Sequence, residues 1–148
     1  MFEIKYRFAG NYTEDLKAVD EMTLRYELFT GSLWLEKDDK KIAMDWKWIP
    51  LLDFALCLRT LCNHLGKQPK GEEVFDFTES DATLTFRREE NKCELFASFS
   101  DTSFIMSFTE FQEAVQQFCE KVGADILSKN EGLKNNRVFK KTLKNVGF

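Results

Sequence analysis

Lys41-Ile42-Ala43-Met44-Asp45-Trp46-Lys47-Trp48-Ile49-Pro50-Leu51-Leu52-Asp53-Phe54-Ala55 is the stretch in which the chain changes its hydrophobic period. Up to Trp48 the apolar residues Ile42, Met44, Trp46 and Trp48 alternate with Lys41, Ala43, Asp45 and Lys47, the two-residue repeat of a half-buried strand. From Pro50 onward the repeat is helical. Leu51, Leu52, Ala55, Leu58, Leu61, Cys62 and Leu65 recur at three- and four-residue steps, the stripe of a core-facing helix. Proline suits a first helical turn because its missing N–H has no intrahelical partner there. Gly66 stands where a left-handed cap would end this helix, and Pro69 and Gly71 bar its continuation.

Working outward, residues 2–8 alternate Phe2, Ile4, Tyr6 and Phe8 against Glu3, Lys5 and Arg7 and predict a first strand, ended by Gly10-Asn11. Residues 22–29 carry Met22, Leu24, Tyr26 and Leu28 at the same period and predict a second. After Thr30-Gly31, residues 33–36 form a strand that returns through the charged tip Lys37-Asp38-Asp39-Lys40 into 41–48. Beyond the helix, strands are expected at 74–78, 82–88, 93–99 and 103–108, with a second charged tip at 89–92. Thr109, with Gln112 three residues on, reads as the cap of a helix that presents Phe111, Ala114, Val115, Phe118, Cys119 and Val122 and ends by Lys129.

Runs of strands followed by single helices, without β-α-β alternation, define an α+β fold. The expectation is a mostly antiparallel sheet of six to eight strands with two main helices packed on it. Residues 1–129 make one such domain. Residues 130–148, with Leu133, Phe139, Leu143 and Val146 at near-helical spacing, are either a basic tail or a short docked helix.

A chain of 148 residues, 43% hydrophobic and 31% charged, is the size of one domain and lies outside the composition range of disordered chains. The opening residues lack the apolar core of a secretory signal, and residues 48–58, the most apolar stretch, are far shorter than a bilayer span. A cytoplasmic protein that contacts no membrane is expected. Cys57, Cys62, Cys93 and Cys119 are spread through apolar segments and read as reduced, buried thiols. The formal charge of −4 is asymmetric: Lys129, Lys134, Arg137, Lys140, Lys141 and Lys144 against Glu131 give the last twenty residues +5, leaving −9 on the body. Such a body repels nucleic-acid phosphates and favours a basic protein partner.

His64 is the single histidine; Cys57 lies two helical turns before it, about 10 Å along the axis, and Cys62 points to nearly the opposite side, so neither makes a local Cys-His dyad. It reads as an exposed residue near a helix C-terminus. No Cys-x-x-Cys or His-x-x-x-His spacing is present, and Gly66-Lys67-Gln68-Pro69-Lys70-Gly71 lacks the Lys-Ser/Thr of a phosphate loop. No catalytic residue, metal or cofactor is expected. The densest one-sign cluster, Glu72, Glu73, Asp76, Glu79 and Asp81, reads either as an anionic docking surface or as a charged strand edge that deters pairing. Trp46-Lys47-Trp48 places two indoles on one strand face, as an interface anchor or a base-stacking platform, or as packing for the helix at Pro50.

The order of these elements resembles a group of small bacterial proteins that overlaps with the immunity proteins of contact-dependent growth inhibition and other polymorphic toxin systems. The resemblance runs over residues 21–86, through Met22-Thr23-Leu24-Arg25-Tyr26-Glu27-Leu28, Trp48-Ile49-Pro50-Leu51-Leu52-Asp53-Phe54-Ala55 and Phe75-Asp76-Phe77-Thr78-Glu79-Ser80. It implies a cytoplasmic protein that neutralises a cognate toxin domain by binding it; with the acidic body and no catalytic centre, a non-enzymatic monomer that blocks a basic nuclease is expected. Glu72, Glu73, Asp76, Glu79, Asp81, Trp46 and Trp48 are the candidate contacts. An adaptor module or a carboxylate-dependent enzyme in a sheet–helix cleft are the competing readings.

Overall fold

The computed structural model describes residues 1–10, 20–129, 133–134 and 136–145, the last stretch without the side chains of 142, 143 and 145. Asn11, the side chain of Leu143, Val146 and Phe148 lie outside the described residues. Strands β1 (Glu3–Phe8), β2 (Thr30–Lys37) and β3 (Lys40–Pro50) form one antiparallel sheet in that order. Helix α1 (Leu51–Gly66) follows without a break. A second antiparallel sheet is the meander β4 (Lys70–Asp76), β5 (Thr83–Glu89), β6 (Lys92–Ala97) and β7 (Ser103–Ser107), which leads straight into α2 (Phe108–Lys129). A short α3 (Arg137–Asn145) completes the α+β fold.

The expected single sheet is thus two, of three and four strands. The cause lies at Pro50, where β3 runs directly into α1, so β4 begins a new ladder after the helix. The sheets meet through side chains, with Phe2 against Phe104 at 5.5 Å and Trp46 against Phe99 at 5.1 Å. Every residue of the expected α1 and α2 stripes is buried, from Leu51 to Leu65 and from Phe111 to Val122. Between these helices and the inner sheet faces lies one core that includes Phe29, Phe54, Phe86, Phe104, Phe111 and Phe118.

Three local expectations need correction. Residues 22–29 are not a strand but a helical segment closing in a π turn (Thr23–Glu27), where the Leu28 N–H reaches the Thr23 carbonyl at 2.9 Å. The Asp20 carboxylate accepts the Thr23 N–H at 2.9 Å, and of the four alternating apolar residues only Leu24 is fully buried. Gly66 ends α1 as a helical residue, and Lys67, at φ −82° and ψ −21°, closes it in the right-handed region. The cap of α2 is Ser107, whose hydroxyl accepts the Glu110 N–H at 3.0 Å, not Thr109. At the other end of the molecule, Asn136 caps α3 by accepting the Phe139 N–H at 3.0 Å, and Leu133 and Phe139 are fully buried.

Candidate functional site

The alternation of β3 breaks where its tryptophans lie. Leu33 pairs with Met44 but Gly31 pairs with Ile49, so the single residue Ser32 on β2 faces the four residues Asp45 to Trp48 on β3. A bulge of this size leaves ladder groups unpaired unless side chains replace the lost bonds. Ser32, only 2% exposed, supplies them: its hydroxyl donates to Asp45 at 2.7 Å and accepts the Lys47 N–H at 3.1 Å. Lys47 is held at φ 66°, a left-handed backbone that costs a lysine about 1 kcal/mol.

The bulge brings Trp46 and Trp48 onto each other, stacked at 5.3 Å and 11°. Both indoles are half-buried and pack against the hydrophobic core. Phe77, just past β4, meets both edge-on, Phe99 meets Trp46, and Phe54 of α1 lies behind Phe77 at 6.1 Å. The pair rests on the loop end of the second sheet. Phe99 keeps 38% of its surface exposed beside it.

The five candidate acids differ in their partners. Glu72 is bound to Arg87 of β5 at 2.9 Å, and Glu73 lies 3.2 Å from the exposed His64 ring. Their charge is partly answered within the fold. Asp76, Glu79 and Asp81 flank Phe77 in sequence, are exposed, and form no ion pair among the described residues. Trp46, Trp48, Phe77 and Phe99 thus form one cluster of ring contacts, and Asp76, Glu79 and Asp81 lie within four residues of Phe77 in the sequence. Phe99 and Ser32 were not read from the sequence as part of this surface, though the Ser/Thr-rich run around Phe99 marks a loop.

Arg25 of the π turn donates to Asp53 of α1 at 2.5 Å, and Cys57 lies beside both. All four cysteines are unpaired, and burial raises the thiols of Cys62 to about 11 and of Cys93 and Cys119 to about 12, so they stay protonated near neutral pH. An open groove of about 480 Å³ runs between β1 and α2, where the Tyr6 hydroxyl donates to Asp125 and burial raises the phenol above its usual value. No group of three or more His, Cys, Asp or Glu among the described residues is arranged to hold a metal ion, and no described helix is long and apolar enough to cross a membrane. No family model, curated protein or solved structure matches the chain.

Proposed function

We propose that this protein works by binding in the cytoplasm, neutralising a basic toxin domain, expected to be a nuclease, without catalysing a reaction itself. One observation carries the reading. A strained bulge, stabilised by a buried serine, presents a stacked indole pair that packs on Phe77, in a segment whose carboxylates Asp76, Glu79 and Asp81 form no ion pair among the described residues. Half-buried aromatics make strong interface anchors because they remove large areas from water at low entropic cost, and carboxylates at the rim steer a cationic partner and exclude anionic ones. The −9 charge of residues 1–128 extends the same field and disfavours direct nucleic-acid contact.

The test begins with the gene neighbourhood, which should hold a large secreted-toxin gene immediately upstream. Co-expression with the C-terminal domain of that toxin should give a complex that co-elutes at low salt. Reversal of Asp76, Glu79 and Asp81 to lysine should weaken it by about tenfold or more, chiefly through slower association. Elution of the two proteins apart at low salt would overturn the proposal.

A further inference from the structure

We propose that the outer edge of β4 takes a basic, extended segment of the partner polypeptide, which adds to the second sheet as a fifth strand; this rests on the binding function proposed above. β4 is paired on one side only, with β5. The ends of that ladder fix the direction of its backbone groups: the Glu90 N–H bonds the Pro69 carbonyl at 2.7 Å, and the Phe77 N–H bonds the Ala82 carbonyl at 3.1 Å. The register between these ends is unbroken. Gly71, Glu73 and Phe75 therefore turn their N–H and C=O groups toward β5, and Lys70, Glu72, Val74 and Asp76 turn theirs outward. Those outward groups have no protein partner among the described residues.

An open edge of this kind is a template for another strand, and its side chains decide which. Glu72, Val74 and Asp76 project on the outer sheet face, with Val74 48% exposed, so the edge reads acid, apolar, acid. A second copy of this chain paired there would add another strand rich in acids at Glu72, Glu73 and Asp76, concentrating like charge along the seam. A segment with lysine or arginine two residues before and two residues after an apolar residue carries all three on one face and meets each position with its complement. Such a strand would run toward Phe77, against which both indoles pack.

The probe is the end-blocked heptapeptide Thr-Lys-Thr-Val-Thr-Lys-Thr, whose two lysines and valine share one strand face, added to the full chain at low salt, with amide hydrogen exchange read by NMR. The amides of Glu72, Val74 and Asp76 should gain about tenfold protection or more, while those of Gly71, Glu73 and Phe75 stay as they were. Val74→Pro removes one outward N–H and leaves the β4–β5 ladder intact, because proline is tolerated on an edge whose N–H faces solvent. It should weaken the peptide by about tenfold, whereas Val74→Ala should stay within about threefold of the wild type. Absence of peptide binding, binding without protection of the outward amides, or unchanged binding by Val74→Pro each overturns strand addition. If the toxin complex forms in those cases, the neutralising function stands without it; if the peptide adds to β4 but no toxin complex forms, the toxin function alone falls.

Discussion

Gly31 shows how closely this chain is fitted at single positions. A Cβ built there would lie 2.0 Å from the backbone oxygen of Arg7 and 2.9 Å from Leu51 Cδ1. The first of these atoms belongs to the paired strand β1 and cannot swing aside as a side-chain end could. Gly31→Ala should therefore cost about 2–3 kcal/mol, in the range of overpacked cores, and lower the urea midpoint without changing the slope. An unchanged midpoint would mean that β1 yields freely. In the sequence Thr30-Gly31 reads only as a turn, because the atom that makes glycine necessary comes from a strand more than twenty residues earlier. Arg25 was hidden for a similar reason. Its carboxylate partner, Asp53, lies on α1, and nothing local in either segment announces a pair that fastens the π turn to the helix.

At the scale of elements, strong periodicity was legible and its interruptions were not. The α1 and α2 stripes and both hairpin tips follow from spacing alone, since burial of one face imposes its period on the residues. Residues 22–29 mislead because apolar residues two apart fit a strand, while the capping bond from Asp20 and the burial of Leu24 alone select one helical turn. The β3 alternation likewise runs through Trp48 without a flaw, although the strand is bulged there. What interrupts it is Ser32, on another strand. Ser32→Ala should leave the Lys47 N–H without its partner and destabilise the fold by about 1–3 kcal/mol, with loss of the exciton signal of the stacked indoles in circular dichroism. Lys47→Gly relieves the left-handed backbone and should keep both the signal and, within about 1 kcal/mol, the stability. Retention of the indole signal by Ser32→Ala would show that the rings, not the serine, hold the bulge.

Across the whole molecule, Glu110 ties α2 to the three-stranded sheet. Its carboxylate, in the first turn of α2, accepts the Phe2 N–H at 2.6 Å and the Lys37 ammonium at 2.8 Å, linking α2 to the start of β1 and the tip of the β2–β3 hairpin. The hydrogen bond from Lys37, followed by the bond from the Phe2 N–H, holds this carboxyl below its ordinary value of 4.5 in the folded protein. The folded state thus binds the proton less readily than the unfolded chain. The stabilisation is fully present above the ordinary carboxyl range and is lost as the pH falls through that range to the lower folded value. Glu110→Gln keeps the shape but removes the titrating charge. The melting temperature of the wild type should exceed that of the variant near neutral pH, and the gap should narrow steadily below about pH 4.5 as the wild-type carboxyl takes up its proton. A gap that stays constant from neutral pH into that acid range would place the coupling of α2 to that sheet in side-chain packing instead of in this carboxylate.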